Sequence, residues 1–143
     1  LVVDAAETHI EMDANRITLV IQNLLGNALR FGTAGTEITL RIADAELTTG
    51  HHRADSQCLP ALAVTVADRG LGIPEAELET IFEKFVQSST TRTGAGGTGL
   101  GLTICREIVT LHGGNIRARN RTDGGAEFTF LLPRQQPLPG RIP

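Results

Sequence analysis

The sequence predicts an α+β fold, and three observations carry that prediction. Two stretches, at 17–28 and 100–111, repeat apolar residues at helical spacing. Short extended segments lie between and after them, around Ile38–Ile42, Ala61–Ala67, Ile116–Asn120 and Ala126–Leu132. The two kinds of segment do not alternate as regular strand–helix–strand units, and the second half is the richer in strand.

Composition narrows the function classes. With 143 residues the chain is long enough for one domain with a real core. Apolar residues make up 41% and charged residues 20%, which places it among globular rather than disordered chains. A net charge of −3 argues against nucleic-acid binding by bulk charge. There is no Tyr or Trp, so stacking platforms for single strands are missing. Cys58 and Cys105 form no disulfide framework. No signal peptide or long apolar run appears. The expected location is therefore the cytoplasm, with no membrane contact by this domain, although a longer parent chain has room for an anchor elsewhere.

Taken in order, Leu1–Asp4 and Thr8–Met12 read as extended pieces. Asp13 is an N-cap candidate for a helix running to about Phe31. Its apolar face is Ile17, Val20, Ile21, Leu24, Leu25 and Ala28. Gly32–Gly35 ends it. Ile38, Leu40 and Ile42 alternate with polar residues, predicting a strand with one buried face. Leu47–Pro60 reads as a polar loop carrying His51 and His52. Ala61–Ala67 is a β-branched strand ending in Asp68. After a turn, Glu75–Phe82 predicts a short helix. Gln87–Thr93 is polar, and a glycine cluster follows. Leu100, Ile104, Ile108 and Leu111 predict the buried face of a second helix, closed by His112-Gly-Gly114. A hairpin turns around Thr122–Gly125. Pro133 onward, rich in proline, reads as a disordered tail, so the domain is expected to span 1–133 and the tail 134–143.

Gly96-Gly-Thr-Gly-Leu-Gly101 places four glycines ahead of an apolar-periodic helix. Glycines let backbone N–H groups approach a ligand closely, and a helix start adds its own unpaired N–H groups and positive dipole end. That suits phosphate oxygens. Gly94-x-Gly96-x-x-Gly99 formally matches a dinucleotide fingerprint, but a polar Ser/Thr/Arg run precedes it where an apolar strand is required. No Gly-Lys-Ser/Thr follows, which excludes a P-loop.

Two further groups could complete such a site. At about 100° per residue, Asn23, Asn27 and Arg30 share an arc of about 60° beside the apolar face of the first helix. This is either a solvated boundary stripe or an edge that offers amide oxygens to Mg²⁺ and a guanidinium to phosphate. Asp68-Arg-Gly70-Leu-Gly72-Ile73 is either a capped turn or a carboxylate aimed into a pocket, where an adenine amino group is a natural donor.

Four motifs occur in order: Asn23-Leu-Leu-Gly-Asn27-Ala-Leu-Arg30-Phe31, Asp68-x-Gly70-x-Gly72-Ile73, Ile81-Phe82-Glu-Lys-Phe85 and Gly96–Gly101. They resemble the N box, first glycine box, F box and second glycine box of sensor histidine kinases. The likeness continues through Leu111–Gly114 and Phe128–Pro133. It implies a catalytic, ATP-binding domain of the Bergerat type. The implied fold is a two-layer α/β sandwich: a mixed, mostly antiparallel sheet of about five strands with about three helices on one face. By that likeness Asn27 would hold Mg²⁺ with Asn23 assisting, Arg30 would approach the phosphates and Phe31 would border the nucleotide. Asp68 would receive the adenine amino group, and Gly70, Gly72 and Ile73 would shape its pocket. Gly97, Thr98, Gly99, Leu100 and Gly101 would wrap the phosphates. A lid over 87–95, anchored by Phe82 and Phe85, would bring Thr91 and Arg92 towards the γ-phosphate.

Relatives of the gyrase, mismatch-repair and chaperone type typically place a Glu four residues before the Mg²⁺-binding Asn. Here that place is Asn23, and an amide takes no proton from water. The likeness therefore implies phosphoryl transfer to a histidine, on a separate dimerisation and phosphoacceptor domain that in turn feeds a response regulator. None of His9, His51, His52 or His112 has an acceptor-like context, and His112 reads as a helix-end cap. Without the dimerising helices the chain is expected to be a monomer. An ATP-driven clamp and a nucleotide-binding pseudokinase are the competing functions.

Overall fold

Alternation along β2 to β5 puts one row of side chains under a helical layer, while the other row faces away from it with no helix over it among the described residues, and all four residues of β1 are exposed. The computed structural model describes residues 1–50, 56–83 and 101–135. Strand β1 (Val2–Ala5) is followed by helix α1 (Ala14–Phe31), β2 (Thr39–Thr49) and β3 (Gln57–Ala67). Two 3-10 turns, Glu75–Glu77 and Thr80–Phe82, precede helix α2 (Gly101–Leu111), β4 (Asn115–Asn120) and β5 (Ala126–Pro133). The five strands form one sheet in the order β1-β2-β3-β5-β4. β1 runs parallel to β2, and every other neighbouring pair is antiparallel. The mixed, mostly antiparallel sheet implied by the resemblance is therefore present, with two α-helices and two short 3-10 turns among the described residues.

Leu40, Ile42, Val64, Val66, Phe128, Phe130, Ile116 and Ala118 face the helical layer and join Ile17, Val20, Leu24 and Ala28 of α1 in one core. Phe130 at its centre has no exposed surface. Truncating such a side chain typically costs about 3–5 kcal/mol. Thr39, Arg41, Thr65, Glu127, Thr129 and Arg119 have the opposite parity and lie on the uncovered face. Asp13 caps α1 by accepting from Arg16 N–H at 3.1 Å, as its position predicts. Among the described residues no helix is long and apolar enough to cross a membrane.

Several local expectations are corrected. The loop expected over 47–60 is largely strand. β2 and β3 pair continuously from Thr39↔Ala67 to Thr49↔Gln57, so Cys58 lies on a strand and is exposed. Threonines at 48 and 49 favour extension, and Leu47 is buried. Pro60 is tolerated because the β5 ladder ends beside it, at Ala61↔Pro133. Residues 8–12 form no strand; Ile10 packs on the core, and Arg134 donates to Thr8 Oγ1 and the His9 carbonyl. Arg134 also pairs with Asp44, so the first tail residue is held against the sheet. The segment 75–82 forms two 3-10 turns instead of a helix, since it is too short to offset helix nucleation. His51, His52 and residues 136–143 lie outside the described residues.

The buried face of α2 also differs. It comprises Thr103, Cys105, Ile108 and Val109, while Ile104 is 39% and Leu111 70% exposed. The apolar spacing misled because two polar residues are satisfied inside. Thr103 Oγ1 donates to the Phe82 carbonyl at 3.0 Å, and Cys105 Sγ lies 3.8 Å from the Val20 carbonyl. His112 continues this inner line. Its Nε2 accepts from Asp13 N–H at 3.1 Å, which leaves Nδ1–H to donate to the Ile108 carbonyl at 2.8 Å. One imidazole thus ties the end of α2 to the start of α1, the capping role expected of it.

Burial pushes the Cys105 thiol up to about 12, so it stays neutral and unreactive at pH 8. Thiol titration of the native protein at that pH is expected to modify Cys58 alone, and both cysteines after denaturation. Rapid native labelling of Cys105 would show that α2 does not pack on α1 in this way.

Candidate functional site

The packing of α1 dictates what its edge presents. With Val20, Leu24 and Ala28 turned to the core, Asn23 and Asn27 sit half-buried at the boundary and Arg30 is exposed. Neither carboxamide has a hydrogen-bond partner among the described residues. The Arg30 guanidinium lies 5.7 Å from the ring centroid of Phe31. The start of α2 opens beside Asn23: a Cβ built on Gly101 would lie 3.3 Å from Asn23 Oδ1. The amide-bearing helix edge and the last residue of the glycine cluster, distant in sequence, are thus neighbours.

The second wall is a carboxylate at the end of β3. Asp68 is only 6% exposed. Its Oδ1 accepts from Gly70 N–H at 2.8 Å and from Ala126 N–H at 3.3 Å. The capped-turn reading of this motif is therefore correct, and it uses one oxygen. Oδ2 has no partner among the described residues. A Cβ on Gly70 would lie 2.1 Å from the Phe31 carbonyl oxygen, so the turn can approach the end of α1 only as glycine. This contact sets the Asp68 turn against the C-terminal end of the helix whose edge carries Asn23, Asn27 and Arg30. Gly72 adopts φ +74° ahead of Ile73, which is 8% exposed.

Phe82 is placed elsewhere. It lies in the core, its ring edge-on to Phe128 at 6.2 Å, and its carbonyl takes the Thr103 hydroxyl. It supports the point where the chain leaves for residue 84. Thr91, Arg92, Gly97, Thr98, Gly99, Leu100 and Phe85, with the expected lid over 87–95, lie outside the described residues.

Sequence reasoning missed Asn120. Its Oδ1 accepts from Ile73 N–H at 2.8 Å, and its Nδ2 donates to the Ile73 carbonyl at 2.6 Å. The signal was available: on β4 it shares the inward parity of Ile116 and Ala118, an unusual place for an amide. On the outer side Asp123 binds Arg69 and Arg121, and the Arg121 guanidinium holds its carboxyl below the usual range.

The uncovered sheet face carries a separate cavity of about 350 Å³ lined by Arg41, Thr65, Arg119 and Arg121 among others. Its arginines are each paired, with Asp4, Glu127 and Asp123 respectively. The α1 edge and the Asp68 turn instead keep polar atoms, of Asn23, Asn27 and Asp68 Oδ2, unpartnered among the described residues. Neutral amides and a free carboxylate oxygen suit a donor-bearing base and a hard cation.

Comparison with known proteins places the chain in a family. Residues 12–136 match the family model of histidine kinase-, DNA gyrase B- and HSP90-like ATPases. The signal transduction histidine-protein kinase AfsQ2 of Streptomyces coelicolor is 37% identical over 131 residues, which cover 92% of this chain and 22% of that protein. The catalytic domain of histidine kinase ThkA superposes with a TM-score of 0.66 at 32% identity, covering 93% of this chain and 77% of that one. The mycobacterial sensor histidine kinase MprB gives a TM-score of 0.74 at 22% identity over 95% of this chain and 82% of its own, a likeness of fold. The chain belongs to the histidine kinase-, DNA gyrase B- and HSP90-like ATPase family, as a catalytic ATP-binding domain of the histidine kinase type. It spans only about a fifth of AfsQ2 and of the WalK kinase of Bacillus subtilis (22% and 20%).

Asp68→Asn retains an oxygen for both N–H groups and is expected to melt within a few degrees of wild type. Asp68→Ala leaves Gly70 N–H and Ala126 N–H without an acceptor, and is expected to lose about 1–3 kcal/mol. Chemical denaturation measures both. Equal stability of all three proteins would contradict the structural role given to Oδ1.

Proposed function

We propose that this domain binds ATP in the cleft between α1 and the Asp68 turn and transfers its γ-phosphate to a histidine on a separate phosphoacceptor domain. The observation that carries this reading is the carboxamide of Asn23 beside Gly101. The edge that faces the start of α2 offers an amide where water activation would need a carboxylate. Asp68 is committed to fixing its turn through Oδ1. An imidazole acceptor needs no such base, because its neutral nitrogen attacks directly. The protein's task is then alignment and charge neutralisation.

Each residue has a role in this reading. Asp68 Oδ2 accepts the adenine amino group. Gly70, Gly72 and Ile73 shape the base pocket, and Phe31 borders the nucleotide. The oxygens of Asn27 and Asn23, unpartnered among the described residues, fit Mg²⁺, a hard cation that takes neutral oxygen ligands and retains water and phosphate oxygens. When bound, that ion neutralises phosphate charge. Arg30 lies on the same edge and adds a cation near the phosphates, while Gly101 begins a helix whose first N–H groups favour anions. We assign Gly97, Thr98, Gly99 and Leu100 to the phosphates, and Thr91 and Arg92 to the γ-phosphate.

The exposed apolar side chains of Ile104 and Leu111 on α2 favour docking against a partner helix. We assign that partner to the parent kinase's dimerisation domain, and a response regulator to the next step. The domain then works on the cytoplasmic side, where ATP is available.

The test mixes this chain with the parent's phosphoacceptor domain and γ-labelled ATP. Acid-labile phosphohistidine on the acceptor is the expected product. Phosphate release without acceptor would favour an ATP-driven clamp, and binding without either product a pseudokinase. Asn27→Asp and Asp68→Asn are each expected to lower ATP affinity or transfer about tenfold or more at nearly unchanged stability. Wild-type affinity and transfer in both variants would remove the cleft from consideration.

A further inference from the structure

The residue that clamps the backbone of Ile73 comes from the far hairpin. We propose that Asn120 is a positioning residue that sets adenine specificity, because its side chain clamps the backbone of Ile73. This rests on the ATP-binding reading given above.

The clamp is geometric. Asn120 makes a two-point bond to the backbone of one residue, Ile73, through Oδ1 and Nδ2. That bond imitates a strand pairing at a place where no strand continues. Asn120 is also the ladder partner of Ala126, whose N–H holds Asp68 Oδ1. The Gly72–Ile73 lip assigned to the base is therefore held by the last residue of β4, opposite the residue whose N–H holds the Asp68 carboxylate. Gly72 is fitted to this contact, since a Cβ there would lie 2.9 Å from Asn120 Oδ1 and its φ is positive.

The consequence concerns base identity. Adenine presents an amino donor to a carboxylate, whereas guanine presents a carbonyl oxygen at the equivalent edge, which a carboxylate repels. That discrimination depends on how closely Asp68 Oδ2 and Ile73 are held relative to each other. A loosened lip lets the base shift away from the carboxylate, so ATP loses a hydrogen bond while GTP escapes a repulsion.

The test measures ATP and GTP dissociation constants by calorimetry for the wild-type domain, Asn120→Ala and Asn120→Asp, with thermal melting alongside. Asn120→Asp keeps an acceptor for Ile73 N–H but loses the donor to its carbonyl. Asn120→Ala is expected to weaken ATP about tenfold and to narrow the ATP-to-GTP preference by a similar factor, with Asn120→Asp intermediate. A preserved preference, whether or not both affinities fall, would overturn the proposal and leave Asn120 a structural residue only. If Asn120→Ala does not fold, Asn120→Asp alone decides by the same criterion. Asp68→Asn serves as the control. Wild-type ATP affinity in that variant would break the ATP-site reading and this inference with it. Loss of ATP there, with unchanged preference in the Asn120 variants, would break this inference alone.

Discussion

A buried carboxylate at the end of a central strand is the constraint on which the rest of this domain depends. Burying Asp68 is expensive unless its oxygens find donors. Two backbone N–H groups, from Gly70 and Ala126, meet one oxygen. Those two bonds draw the following turn and the β4–β5 hairpin onto the same point. The crowding around them explains the glycines. A Cβ at Gly125 would lie 2.1 Å from the Asp68 carbonyl oxygen, and one at Gly70 the same distance from that of Phe31. The end of α1, the turn and the hairpin can meet around the carboxylate only because these positions lack side chains.

The second constraint is the double duty of α1. Its inner face builds the core with Val20, Leu24 and Ala28, and that packing fixes the helix in rotation. The edge bearing Asn23, Asn27 and Arg30 then has no freedom to turn away from the cleft. His112 fixes the same helix at its start by accepting from Asp13 N–H, and Cys105 packs against the Val20 carbonyl midway. Rigid supports of this kind hold the Asn23 and Asn27 amides, which have no hydrogen-bond partner among the described residues, in place on the helix edge.

Much of this was legible in the sequence because the relevant signals are local. The Asp13 cap, the apolar stripe of α1, the hairpin around Thr122–Gly125 and the Asp68-x-Gly-x-Gly turn each depend on residues within a few positions of one another. What escaped was set by distant partners. The inner face of α2 includes Thr103 because the Phe82 carbonyl waits for it, and no spacing along α2 encodes that. The long β2–β3 ladder was hidden by polar residues on an uncovered sheet face, which strands tolerate. Asn120 was overlooked because its partner, Ile73, lies 47 positions away.

The central claim is that nucleotide occupies the cleft between α1 and the Asp68 turn rather than the arginine-lined cavity across the sheet. Backbone and side-chain amide chemical shifts of the ¹⁵N-labelled domain, followed during titration with a non-hydrolysable ATP analogue and Mg²⁺, test it most directly. The account predicts the largest changes at the amides of Gly70, Gly72, Ile73, Gly101 and Ala126 and at the Asn23 and Asn27 carboxamides, with Arg41, Thr65 and Arg119 nearly unmoved. Changes concentrated at those three residues on the uncovered face, or none at the Asn27 and Asp68 walls at saturation, would contradict it.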